Sequence, residues 1–154
     1  MLPDDVFRTR LQATITALRY WAPTVASTAR VEETSSGDYW RLAITPITPS
    51  ACPLELILHS DQHYDIFIAG ETYEGRPIDS FDWFLPLAEA VAEGQVVQRQ
   101  RISRLTGLQR STETLVALAN GEVWFDGRDT LHAAPPIEDD GTEIRERRFL
   151  PYHR

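Results

Sequence analysis

Residues 54–68 read LELILHSDQHYDIFI, and this stretch narrows the fold more than any other part of the chain. Two runs of alternating apolar residues flank Ser60-Asp61-Gln62, which is the period of a half-buried antiparallel hairpin. Loop length sets the register, and a shift of one residue moves a whole strand's side chains to the other face. A three-residue loop sets Leu58 against Tyr64, Leu56 against Ile66 and Leu54 against Ile68, with all six side chains on one face. A two-residue loop would set Leu58 against Asp65 and Leu56 against Phe67. Only the first gives a consistent core, so a three-residue loop is expected.

The neighbouring segments fit around that hairpin. Phe7, Leu11, Ile15 and Leu18 share one helical stripe, which predicts a helix from Asp5 to Tyr20, capped by Asp4 or Asp5 and stopped by Ala22-Pro23. An edge strand is expected at Ala29–Thr34 and a strand at Tyr39–Thr45 with Trp40, Leu42 and Ile44 on one face. Pro46, Pro49 and Pro53 make residues 46–53 a loop. Glu71–Ile78 adds a short strand or an extended crossover. Ser80 is expected to cap a second helix that becomes regular from Pro86, carries Phe81, Phe84, Leu85, Ala88 and Val91 on its apolar face, and ends at Gly94.

Beyond Gly94 the pattern is a meander of strands at Gln95–Leu105, Ser111–Ala119 and Glu122–Asp126. Asn120-Gly121 suits a two-residue hairpin turn, which would pair Leu118 with Val123 and Val116 with Phe125. Phe125 would then face the core with Trp40, Tyr64, Phe81 and Phe84, while Trp124 points the other way, beside Leu115 and Ala117. Residues 127–142 read as a long polar loop, and Ile144–Leu150 as a returning edge strand. The whole is an α+β fold with antiparallel sheet and two helices, in the order α, three to five strands, α, three strands and a C-terminal edge strand, spanning residues 1–154 as a single domain.

Composition removes several kinds of function. All fifteen basic residues are arginine. Without lysine there is no Schiff-base catalysis, no pyridoxal-phosphate attachment and no P-loop lysine. Arginine without lysine also fits a G+C-rich bacterial genome. A single cysteine, Cys52, rules out an internal disulfide and every zinc site built on paired cysteines; a small structural hydrophobe is its expected role. No run of eighteen apolar residues is present, and the acidic start Met1-Leu2-Pro3-Asp4-Asp5 lacks the basic charge of a targeting peptide, so a cytoplasmic protein without membrane contact is expected. The net charge of −8 disfavours nucleic acid.

Candidate chemistry is sparse. The signatures Gly-x-Ser-x-Gly, His-Glu-x-x-His and Gly-x-Gly-x-x-Gly are absent. In the hairpin register His59 and His63 stand opposite each other, and two imidazoles so placed could share a metal with Asp61 or Asp65; the simpler reading is a polar hairpin tip. Arg99, Arg101, Arg104 and Arg110 form the densest basic patch, suited to an anion or, more simply, to exposed ion pairs with Glu113 and its neighbours. Tyr39, Ile57, Phe67 and Trp124 point away from the expected core faces and need covering by the same chain or by another. The expectation is therefore a small acidic binding protein of the adaptor, chaperone or inhibitor type. It needs no cofactor and uses a sheet face or edge to hold a protein partner or itself. The alternative is a metal- or small-ligand-binding enzyme centred on His59 and His63.

Overall fold

A computed structural model describes residues 1–129 and 141–153, apart from the side chains of Arg110 and Asp129. Helix α1 spans Asp4–Trp21, one residue longer than expected at each end. Neither aspartate caps it: Pro3 holds the N-cap position, and Asp4 and Asp5 lie in the first turn, where their charge suits the positive end of the helix. Phe7, Ile15 and Leu18 are buried along its inner stripe.

Five strands follow before the second helix: β1 (Ala29–Ser35), β2 (Tyr39–Pro46), β3 (Leu54–His59), β4 (His63–Ile68) and β5 (Glu71–Pro77). They form one antiparallel sheet in chain order. The β3–β4 register is the expected one, with Leu58 opposite Tyr64, Leu56 opposite Ile66 and Leu54 opposite Ile68. Gln62 takes the left-handed conformation that this loop needs, at φ 70°. It is more than a solvated tip residue. Its buried amide grips the backbone of Leu2, donating to the carbonyl at 2.7 Å and accepting from the amide at 2.9 Å.

Helix α2 spans Phe84–Ala92, starting two residues before Pro86. The proline falls in the first turn, where its missing N–H would have no helical partner anyway. Ser80 does not cap this helix; its hydroxyl accepts from the Asp82 amide in the preceding loop. Gly94 ends the helix at φ 79°. A Cβ there would come within 2.6 Å of the Pro151 nitrogen, so the position needs glycine for space as well as conformation.

The second sheet contains β6 (Val96–Ser103), β7 (Gln109–Ala117), β8 (Val123–Asp129) and β9 (Thr142–Arg148), in the order β8-β7-β6-β9, all antiparallel. Part of the expected long loop is strand: residues 127–129 extend β8 and Thr142 opens β9, while 130–140 lie outside the described residues. The returning strand pairs with β6 at the sheet edge.

The β7–β8 turn corrects the sequence reading. Ala119-Asn120-Gly121 form a three-residue loop closed by the Leu118 amide on the Glu122 carbonyl at 2.8 Å, with Gly121 at φ 88°. Val116 therefore faces Trp124, and Leu115 faces Phe125. Val123, Trp124 and Phe125 thus lie on the faces opposite to those expected. Trp124 turns inward, and Phe125 is 71% exposed.

One core joins the two sheets. Leucines and isoleucines of β2, β3 and β4 pack with α1 and α2 and with Val96, Val116, Leu118 and Trp124 of the second sheet. Trp124 stacks on Trp83 at 6.0 Å between ring centroids and meets Tyr73 edge-on at 6.4 Å. Tyr73 hydrogen-bonds Thr114 across the gap between sheets at 2.9 Å. Arg76 of β5 makes a two-bond pair with Asp126 of β8, at 2.8 and 3.2 Å. Behind β9 the tail closes a second seam: the Tyr152 amide donates to the carbonyl of Ala92, and its phenol to the carbonyl of Cys52.

Candidate interaction surfaces

Each hairpin histidine has an aspartate partner of its own. His59 Nε2 pairs with Asp65 Oδ2 at 2.8 Å, while His63 Nδ1 turns to the backbone carbonyl of Asp61 at 3.1 Å. Asp65 also accepts from the Gly75 amide, so its carboxylate bridges β4 and β5. His63 Nδ1 also lies 3.3 Å from Asp61 Oδ1, so the fold brings His63 and Asp61 together while His59 pairs with Asp65. Among the described residues no group of three or more His, Cys, Asp or Glu side chains is placed to hold a metal ion. Cys52 is buried, and desolvation pushes its thiol up to about 11, so it is a neutral thiol at physiological pH.

The arginine group disperses over the second sheet. Arg99 and Arg101 project from one face of β6, and Arg104 stands in the β6–β7 turn. Arg110 lies in β7, its side chain outside the described residues. Arg99 pairs with Glu146 of β9 at 3.0 Å, and Glu113 stands beside it on β7. The Arg99–Glu146 contact is an exposed ion pair, worth under about 1 kcal/mol.

The outer face of the first sheet carries Tyr39, Ile57 and Phe67, as the register requires. Tyr39 is 36% and Phe67 37% exposed, and Ile57 is half-buried. Polar pairs hold this face together: Arg41 to Glu55 at 2.6 Å and His59 to Asp65. A shallow depression of about 200 Å³ lies between Ile57 and Phe67, ringed by Glu55, Asp65 and Glu74. The second sheet does not fold over it, since Trp124 packs on Trp83 and Tyr73 instead. Trp124, 9% exposed, leaves the outward-facing set.

In its place the corrected register brings Phe125 and Val123, which a two-residue turn would face to the core, out beside Leu115 and Ala117, which are on the outer side as expected. On the outer face of the second sheet Phe125, Leu115 and Val97 stand side by side on β8, β7 and β6, with Arg148 of β9 at the end of the row. Val123 and Ala117 lie directly beside them. Phe125 is 71% and Val123 54% exposed. The signal for this was present in the Asn120-Gly121 step, which suits either a two-residue turn or the glycine-bulged three-residue loop found here. A groove of about 410 Å³ also opens between α2 and the end of β7, lined by Pro86, Ala90, Ala117 and Leu118 with Glu89 and Glu93 at its mouth.

No protein-family model, curated protein or solved structure matches this chain. The surfaces themselves therefore carry the functional reading.

Proposed function

We propose that the protein is a non-enzymatic binding module that holds a protein partner on the outer face of its second sheet. The observation that carries this reading is the row Phe125–Leu115–Val97, exposed at Phe125 and half-buried at Leu115 and Val97, with exposed Val123 beside it. A ring as exposed as Phe125 on a continuous apolar strip is costly to leave wet, and such strips mark contact sites on soluble proteins. The outer face of the first sheet ranks second. Its apolar residues are less exposed and lie among carboxylates already engaged within the face.

The edges offer less than the faces. β1 and β9 are dense in charge, with Arg30, Glu32 and Glu33 on one and Glu143, Arg145, Glu146, Arg147 and Arg148 on the other, which discourages strand addition. The other two edge strands, β5 and β8, are tied to one another by Arg76–Asp126 and by Arg128–Glu71 at 3.2 Å. A face-on mode of binding is therefore favoured over strand addition.

Photo-crosslinking tests this. A photoreactive residue at position 125 should form protein adducts, and one at the more exposed but isolated Tyr20 should form none. Phe125→Glu should change stability by no more than about 0.5 kcal/mol while abolishing adducts from position 123. Equal labelling from positions 20 and 125 would refute the reading.

A further inference from the structure

We infer that the partner on this face is a second copy of the same chain, in an isologous dimer whose two-fold axis runs parallel to the strands between β6 and β7. The inference rests on the binding role proposed for that face and names its occupant.

The argument is one of self-complementarity. Reading across the outer face from β8 to β9, one row is Phe125, Leu115, Val97, Arg148, and the next is Gly127, Glu113, Arg99, Glu146. A two-fold axis along the strands lays each row on its own reverse. In the first row Leu115 meets Val97 of the other copy, and Phe125 meets Arg148, whose side chain is 75% exposed. That is apolar on apolar at the centre and a cation over an aromatic face at each end. In the second row Glu113 meets Arg99, and Glu146 meets Gly127, which has no side chain to obstruct it. Opposite charges fall on each other twice, without a like-charge clash in either row. An isologous interface needs this property, and an arbitrary surface lacks it.

Long-range charge points to the same face. Residues 1–95 hold six arginines against fourteen acids, whereas the described residues of 96–153 hold eight arginines against six acids. Two copies approaching through the first sheet would meet strong like charge, and through the second a nearly balanced field. Stacked sheets usually cross at about 30°, so the residues nearest the centre keep their opposition best. Here those are Leu115, Val97, Glu113 and Arg99. Four strands about 4.8 Å apart and four rows about 6.8 Å apart give a footprint of roughly 500 Å². That is short of the roughly 800 Å² per partner of a standard interface, so the dimer should be reversible with a micromolar dissociation constant.

Sedimentation velocity on the full chain, from about 1 to 500 µM in moderate salt, tests the proposal, with circular dichroism confirming that each variant is folded. The wild-type protein should go from monomer to dimer across that range. Arg99→Glu and Glu113→Arg should each weaken self-association at least tenfold, because each sets like charges opposite one another. An equimolar mixture of the two variants should regain dimer. The glutamate introduced at position 99 of one copy then faces the arginine introduced at position 113 of the other, and the native Glu113 and Arg99 face each other as before. A double variant carrying both changes should also dimerise with itself. A wild-type protein that stays monomeric throughout overturns this inference. The broader binding reading would then stand or fall on the crosslinks from position 125. A dimer indifferent to both charge reversals, or a mixture with no recovery, would place the contact elsewhere and overturn it as well.

Discussion

The two sheets distribute polar and apolar residues differently between their faces. In the first, the inner face is almost wholly hydrocarbon: Leu42, Ile44, Leu54, Leu56, Leu58, Ile66 and Ile68 are each 2% exposed or less. Its outer face is a mesh of ion pairs. In the second, the inner face carries Gln98, Thr112 and Thr114, all buried, while Phe125 and Val123 stand in water. Buried polar groups need partners. Gln98 donates to the Ala69 carbonyl at 2.6 Å, Thr112 accepts from Gln109, and Thr114 bonds Tyr73. The bonds of Gln98 and Thr114 reach the first sheet and fix where the second sits, but contribute less than hydrocarbon burial. The first sheet thus supplies stability, while the second carries apolar surface on its outside, where only association can bury it.

Three measurements test that contrast. The largest effect is expected at Leu56, fully buried at the centre of the first sheet. Leu56→Ala should cost about 2–5 kcal/mol in urea unfolding. A loss under about 1 kcal/mol would mean the first sheet is not the stabilising body.

The second measurement concerns the seam where the tail meets the loop before β3. Burial raises the Cys52 thiol to about 11 from the usual 9.0. At neutral pH both the folded and unfolded states hold the proton. Above about 9 only the unfolded chain ionises, so it gains free energy and stability falls as pH rises toward 11. The loss from Cys52 should approach about 3 kcal/mol, since each pH unit between the two values is worth about 1.4 kcal/mol. Burial also raises the phenol of Tyr152, so the decline should continue at higher pH. Denaturant melts at about pH 8, 9, 10 and 11 would show it, and Cys52→Ala should flatten the first part of the curve. An unchanged slope in that variant would assign the loss to the tyrosines.

The smallest effect is expected at the junction between the sheets. Tyr73→Phe or Thr114→Val should each cost about 1–1.5 kcal/mol, because each leaves a buried hydroxyl or its partner unsatisfied. The double variant should recover part of that loss, since both polar groups are then gone. Strict additivity would show that the bond contributes nothing to holding the sheets together.

The first sheet was more legible in the chain than the second because its strands offer a single self-consistent pairing. Leu54–Leu58 and Tyr64–Ile68 place apolar residues on one face in one register, and slipping by one puts Asp65 or Phe67 among the leucines. The helices were legible for the same reason: one stripe of large apolar residues admits one buried side. Their ends were less so, because Asp4, Asp5 and Ser80 are good capping residues that the structure uses in other ways.

In β8 the run Val123-Trp124-Phe125 is apolar on both faces, so alternation could not choose between registers, and the loop at Asn120-Gly121 had to decide. That decision was tertiary. Trp124 gains Trp83 and Tyr73 as neighbours, and Asp126 gains Arg76, only if β8 turns its even-numbered residues inward. The hairpin histidines follow the same logic. Sequence placed them opposite each other, but the diagonal neighbour Asp65 and the backbone of Asp61 claimed one each. Local periodicity and composition were enough to set the elements, the register of the first hairpin and the chemistries the chain lacks. Which face of the second sheet meets water was left to packing, because only contacts distant in sequence distinguish two faces of equal hydrophobicity.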